Sequence, residues 1–89
     1  MPSAINKHRI TLDGQPTSIR HQRGAEIKHF GIIGGNAFIW LHEQEGQRTT
    51  RYNYRTISTG HPVPDYWDYV ATAQDPATGI SAHLFKENA

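Results

Sequence analysis

Apolar and polar residues alternate along much of this chain with a period of two, which is the pattern of half-buried β-strands. Between scattered glycines and prolines lie short runs rich in Ile, Thr, Tyr, Phe and Trp, whereas helix signals are nearly absent. The pattern predicts strands over residues 7–13, 17–21, 26–33, 37–42, 49–58, 69–74 and 80–87. We therefore expect an all-β fold, a small antiparallel sandwich or partly open barrel of six to seven strands.

The connections between these strands are short and contain turn residues. Asp13-Gly14-Gln15-Pro16 predicts a turn, and Gly34-Gly35-Asn36 is the strongest hairpin signal in the chain. Short connections favour pairing of consecutive strands, so this is the simplest topology. The 89 residues form a single domain, residues 1–89, in which we expect residues 1–5 and 88–89 to fray.

The segment at residues 37–42 is the most hydrophobic strand. Its two faces carry Ala37, Ile39 and Leu41, and Phe38, Trp40 and His42. Apolar residues on both faces predict that both are covered, either by the fold or by another subunit. Only 36% of the chain is hydrophobic and an 89-residue domain has a thin core, so we expect a homo-oligomer, either a dimer or a tetramer.

Composition and charge exclude several classes of protein. No apolar run approaches the length of about 20 residues that spans a bilayer, and the N-terminus lacks the apolar stretch of a signal peptide. Without cysteine there is no disulfide, thiolate metal site or cysteine nucleophile. A net charge of +1 predicts no binding to bulk DNA and none to an anionic membrane. These features predict a soluble, cytosolic protein.

The residues that could support catalysis or metal binding do not form a recognisable set. Ser58, Thr59 and His61 are clustered without the spacing of a triad, and no phosphate-binding glycine loop precedes a helix. The six histidines include no His-x-His pair; we expect those at 8, 21 and 29 to be solvated, while those at 42, 61 and 83 could converge. The sequence thus predicts no enzyme, no metal and no cofactor. A compact hydrolase or lyase acting on a nucleotide, with His61 as its base, remains open.

Arginine and aromatic residues around one stiff loop suggest a binding site. Arginine forks bind phosphate oxygens, aromatic rings stack on nucleobases, and glycine-loop amides with a threonine hydroxyl add donors for anions. Pro62 and Pro64 stiffen the loop, and the two strand arginines share one face, so both could approach one anion. The predicted ligand-binding residues are Arg51, Arg55, Thr59, Gly60, His61, Tyr66 and Trp67. The alternative is a solvated strand with cation–π contacts between its arginines and tyrosines, and a segment Tyr66-Trp67-Asp68-Tyr69 that plugs one end of the core.

From Gly24 to Glu87 the chain resembles a family of small bacteriophage proteins. The most specific shared motif is the loop Thr59-Gly60-His61-Pro62-Val63-Pro64. The remaining motifs are a Gly-Ala start to a strand, an apolar strand with tryptophan, an arginine-rich strand and two closing strands, at residues 24–27, 38–41, 51–55, 69–72 and 83–86. The chain departs from the family pattern at Ser58, Ala71 and Lys86.

Small phage proteins of this kind include anti-CBASS sponges, which bind the cyclic di- or trinucleotide signals of bacterial defence. The resemblance implies an oligomeric, non-enzymatic protein that acts in the cytoplasm of the infected host. Because a cyclic dinucleotide is large relative to a 10.1 kDa domain, a pocket between subunits would enclose it most easily. The alternative is an accessory or virion protein that acts through protein–protein contacts at a sheet edge or an aromatic patch.

Overall fold

The computed structural model describes residues 2–87, which form seven strands and no helix. All pairings are antiparallel, and the strands form a three-stranded sheet in the order β1-β4-β3 and a four-stranded sheet in the order β2-β5-β7-β6. The expected all-β sandwich is confirmed. The strands are β1 (Ser3–Ile10), β2 (Thr17–Gln22), β3 (Glu26–Ile33), β4 (Asn36–Gln44), β5 (Thr49–Ser58), β6 (Asp68–Gln74) and β7 (Ser81–Lys86).

The expected pairing of consecutive strands is wrong for most of the chain. Only β3 with β4 and β6 with β7 pair as sequence neighbours. The turn after β1 instead carries the chain from one sheet to the other. It is held by Gln15 N donating to the Asp13 carboxylate, and by Thr11 N donating to the hydroxyl of Thr17. With this topology the most apolar strand, β4, lies between β1 and β3, and its inner face is fully covered.

Strand β1 is longer at its start and shorter at its end than the sequence predicts. It begins at Ser3 and pairs residue by residue with β4, so residues 3–5 do not fray. Backbone pairing requires no apolar side chains, which explains why the polar start of β1 gave no signal. The strand ends at Ile10, three residues before the predicted end at residue 13, and Leu12 beyond it is 37% exposed. The fraying predicted for residues 1 and 88–89 lies outside the described residues.

The core lies between the two sheets. Its buried apolar residues are Ile10, Ile19, Phe30, Ile32, Ala37, Ile39, Leu41, Tyr54, Ala82 and Leu84. The outer face of β4 is covered only in part: Trp40 contacts the ring of His29, and the Lys7 ammonium lies 4.8 Å from the Phe38 ring centre. Both faces of this strand were expected to be covered, but within one chain only the inner face of β4 is fully covered.

The sandwich is not closed into a barrel. Strands β3 and β6 are edge strands that pack beside each other, and each has an irregularity in its pairing, between Ile27 and His29 and between Tyr69 and Ala71. Bulges of this kind bend an edge strand away from regular pairing. Within residues 2–87 there is no helix long and apolar enough to cross a membrane.

Candidate functional site

The outer face of the four-stranded sheet carries most of the residues that the sequence singled out. Alternation in β5 points Tyr54 and Thr56 into the core, so Arg51 and Arg55 share the outward face of this strand. Residues at paired positions of neighbouring strands lie on the same side of a sheet, which adds residues of β2, β6 and β7 to this surface. We call it the arginine–aromatic face; its residues are Arg20, Arg51, Arg55, Trp67, Tyr69, His83 and Phe85.

Arg55 is held in place by three contacts. Its Nε donates to the Glu87 carboxylate across 3.1 Å, and its Nη1 donates to the carbonyl oxygen of Gly14 across 3.3 Å. The guanidinium carbon also lies 5.0 Å from the ring centre of Trp67. These contacts use two of its five donors and one of its planar faces, so Arg55 is engaged within its own chain and packs against Trp67.

Arg51 lies in a different environment. It is exposed and directly opposite Arg20 in the register of β2 and β5. Among residues 2–87 no carboxylate lies within ion-pair distance of either side chain. Along the strand, Arg51 is about 13 Å from Arg55. Arg51 and Arg55 thus lie in separate environments. The residue beside Arg51 is Arg20, which the sequence did not single out because the predicted topology paired β2 with other strands.

The predicted loop begins directly after β5 as a tight turn. His61 N donates to the carbonyl oxygen of Ser58 across 3.1 Å, and Gly60 has a φ of 89°, which a residue with a side chain rarely adopts. Thr59, Gly60 and His61 are all exposed. Further along, Tyr66 is 64% exposed and meets Trp67 edge to face, with the ring centres 6.4 Å apart. The loop thus contributes exposed polar atoms and exposed aromatic rings at one end of the face.

A chain of four side chains connects this loop to the last two strands. The hydroxyl of Thr59 is hydrogen-bonded to Nε2 of His83 across 2.8 Å, and Nδ1 of His83 to Thr72 across 2.8 Å. Thr72 is in turn hydrogen-bonded to the Tyr69 hydroxyl across 2.7 Å. Sequence reasoning did not assign His83, Thr72 or Tyr69 to the site. A signal existed, since the predicted hairpin of the last two strands brings positions near 72 and 83 together.

The histidines do not converge. His42 lies in the three-stranded sheet and His83 in the four-stranded sheet, and His61 is on the loop. Within the part of the chain that the structure describes, no three His, Asp or Glu side chains are grouped closely enough to hold a metal ion. His21, expected to be solvated, is instead 4% exposed, because its ring stacks on Tyr52 and its Nε2 contacts the hydroxyl of Tyr54 across 2.7 Å.

A family model described as Domain of unknown function (DUF7352) matches residues 1–89 of this sequence. The chain belongs to the DUF7352 family. The comparisons found no match among curated proteins and none among solved structures.

Apart from the arginine–aromatic face, this DUF7352 chain has a cleft lined by residues on or beside β2, β3, β5, β6 and β7. The cleft has a volume of about 490 Å³, and its wall includes the stacked rings of His21 and Tyr52 together with Tyr54, Asp68 and Lys86. None of the predicted site residues line it. Burial, reinforced by the neighbouring Tyr52, raises the pKa of Tyr54 to about 12, so this hydroxyl stays protonated at neutral pH.

The two surfaces of the DUF7352 chain suit different chemistry. The cleft offers a hydrogen-bonded tyrosine–histidine pair beside one cationic side chain, Lys86, and two anionic ones, Glu26 and Asp68. The arginine–aromatic face offers two free guanidinium groups, exposed rings and hydroxyl groups on a broad, solvent-facing sheet. This combination is suited to a nucleotide, because guanidinium groups bind phosphates and aromatic rings stack on bases.

Proposed function

We propose that this protein binds and sequesters a cyclic di- or trinucleotide defence signal, as an anti-CBASS sponge expressed by a phage, and does so without catalysis. The ligand binds at the arginine–aromatic face, and the protein acts in the cytoplasm of the infected bacterium. The proposal combines the resemblance carried by the loop motif of residues 59–64 with the chemistry of that face.

One observation supports this function most directly. A single exposed sheet face places guanidinium groups without a carboxylate partner in residues 2–87 on the same surface as a tryptophan fixed by Arg55. The guanidinium groups can bind phosphate oxygens, and a nucleobase can stack on the ring of Trp67 or on Tyr66 beside it. The net charge of +1 creates no long-range field, so affinity must come from such local contacts.

An open sheet face does not enclose a ligand on its own. A cyclic dinucleotide buried against one copy would remain exposed on its other side, where a second copy can cover it. We therefore propose a homo-oligomer, with a dimer as its smallest form, in which two arginine–aromatic faces meet around the ligand. A two-fold axis would give each phosphate the same set of side chains, matching the symmetry of a cyclic dinucleotide.

The hydrogen bonds around the loop support a binding role over a catalytic one. Both ring nitrogens of His83 are hydrogen-bonded to threonine hydroxyls, so its orientation is set by neutral groups and not by a carboxylate. Within residues 2–87 no side chain hydrogen-bonds the imidazole of His61, the residue considered as a base, and therefore nothing orients it. A general base normally has such an orienting partner.

Calorimetry with cyclic di- and trinucleotides tests the proposal. Trp67→Ala should weaken binding by about 1–3 kcal/mol, because a base loses its stacking partner, without changing the salt dependence. Arg51→Ala should weaken binding and also flatten the salt dependence, because a contact to phosphate is lost. Arg9→Ala, which removes the same charge from the other sheet, is the matched control and should bind like the parent. Unchanged binding by both site variants would place the ligand elsewhere.

A second function, protein–protein contact as a phage accessory or virion component, is favoured by the other sheet. The outer face of the three-stranded sheet carries half-buried Phe38 and Trp40, flanked by Ile5 and Ile33, which are 57% and 58% exposed. Ile33→Asp should disrupt an interface on this face and leave the opposite face intact. If oligomers persist in Ile33→Asp, this face is not the interface between copies of the chain. If the parent also binds no cyclic nucleotide, the protein-contact function would require a different partner protein.

A further inference from the structure

We infer that Arg20 and Arg51 together form the subsite for one phosphate group. The inference rests on the proposed function and narrows it, because it assigns the phosphate contact to Arg51 together with Arg20, a residue that the sequence motifs do not include. The pair joins the second and fifth strands of the chain and is created only by the crossover between them.

The first argument is the position of the two positive charges. Arg20 and Arg51 are directly opposite each other, where side chains begin only about 5 Å apart. Like charges at such positions destabilise a sheet, and a stabilising pair would have an acidic residue on one strand. The described residues provide no carboxylate for either guanidinium. An anion bridging the two forks would remove the repulsion and use the donors of both.

The second argument is what surrounds the pair. On one side, the neighbouring paired positions carry Gln22 and Thr49, and on the other side Ser18 and Asn53. The Ser18 hydroxyl donates to Oδ1 of Asn53 across 2.5 Å, so the Asn53 amide nitrogen remains as a donor. On this face of β2 and β5, three successive residue pairs thus present guanidinium groups and uncharged donors, and none of the six residues is acidic. This is the composition of a phosphate site, where donors are needed and a carboxylate would repel the ligand.

The third argument is the contrast with other basic side chains of this protein. Arg55 donates to Glu87, Lys28 to Glu26 and Arg9 to the side chain of Asn36. Each of these three has an acceptor within its own chain. Arg20 and Arg51, like the loop residues Arg23 and Arg48, have no such side-chain acceptor in residues 2–87. Unlike those two, they lie opposite each other in a sheet, on the face that carries Trp67.

Thermal unfolding at low ionic strength, with inorganic pyrophosphate as the probe, tests this subsite. Without the probe, Arg20→Gln and Arg51→Gln should each raise the melting temperature by about 2–4 °C, because the repulsion is relieved. Pyrophosphate should stabilise the parent and the Arg9→Gln control, and its affinity should fall about ten-fold or more in either site variant. Melting temperatures lowered by both substitutions, or an unchanged pyrophosphate affinity, would overturn the inference.

The same variants separate this inference from the proposed function. If pyrophosphate binding depends on both arginines but no cyclic nucleotide binds, the phosphate subsite stands and the sponge proposal fails. If cyclic nucleotides bind the parent and both Gln variants equally well, the sponge proposal stands and the subsite is wrong. A double variant that loses little more affinity than either single variant would support two guanidinium groups sharing one phosphate, whereas additive losses would mean that each arginine contacts the probe independently.

Discussion

The hydroxyl of Tyr54 donates its hydrogen to Nε2 of His21 across 2.7 Å, and both side chains are buried. The direction follows from the other ring nitrogen. Nδ1 of His21 lies 2.9 Å from the carbonyl oxygen of Gln22, which can only accept, so Nδ1 carries a proton; in this tautomer Nε2 accepts from the Tyr54 hydroxyl. The imidazole connects the end of β2 to the centre of β5, in a region where the sequence predicted a solvated histidine.

Removal of this hydroxyl should destabilise the fold. In Tyr54→Phe the buried Nε2 of His21 loses its donor, and an unsatisfied buried acceptor costs about 1–3 kcal/mol. The free energy of unfolding in urea measures the effect. Tyr52→Phe is the matched control, since it keeps the ring that stacks on His21 and should change stability by less than about 0.5 kcal/mol. Equal losses in the two variants would show that the Tyr54–His21 bond contributes nothing specific.

Stability should fall at alkaline pH because of the same hydroxyl. Burial raises the pKa of Tyr54 from 10.0 to about 12, so the folded state holds this proton more tightly than the unfolded state. The stabilisation is fully present below pH 10 and is lost as pH rises through 12, by about 2 kcal/mol over that range. Denaturation between pH 8 and pH 12 measures it, and Tyr54→Phe should lack this part of the slope. A parent and a variant with parallel profiles would contradict the assignment.

Arg55 and Glu87 should prove to be coupled structural residues. The pair is half-buried, with side chains 27% and 22% exposed, and Arg55 also holds Trp67. A double-mutant cycle of Arg55→Ala and Glu87→Ala should give a coupling of about 1 kcal/mol in the free energy of unfolding, and Trp67 fluorescence should shift when Arg55 is lost. Arg51→Ala is the control and should show no coupling to Glu87. Additive effects of the two substitutions would mean that Glu87 does not hold Arg55, whose guanidinium would then be free to bind a phosphate.

Thr59 and His83 should act as one unit in ligand binding. The two are joined by a hydrogen bond, and Thr72 holds the other side of the His83 ring. Thr59→Val and His83→Ala should each weaken cyclic-nucleotide binding, and the double variant should lose little more than the worse single variant, because one contact has been removed twice. Binding affinities from calorimetry decide this. Fully additive losses would mean that the two side chains contact the ligand independently.

Much of the fold could be predicted because it depends on local patterns. Alternating apolar and polar residues predicted the strand at residues 49–58, and the glycines at 34 and 35 correctly located the β3–β4 hairpin. Topology could not be predicted in the same way. The pairing of β2 with β5 depends on how two whole sheets cover one core, and no short segment carries that information.

The candidate site shows the same division. That Arg51 and Arg55 share one face follows from strand alternation, and the structure places both on the outer face of the sheet. Their separate environments do not follow from alternation, because Glu87 and Arg20 reach them through non-local pairings. His21 was missed for a related reason: its neighbours in sequence are polar, while the residues that bury it, Tyr52 and Tyr54, lie on another strand.

The central claim is that this protein holds a cyclic oligonucleotide without altering it, and recovery of the ligand tests it most directly. The purified protein is mixed with a defined set of cyclic di- and trinucleotides, separated from free ligand and heated, and the released material is identified by mass spectrometry. The account predicts one intact cyclic nucleotide per pair of chains, and greatly reduced recovery with Arg51→Ala and with Trp67→Ala. Recovery of no nucleotide, or of linear cleavage products, would contradict it.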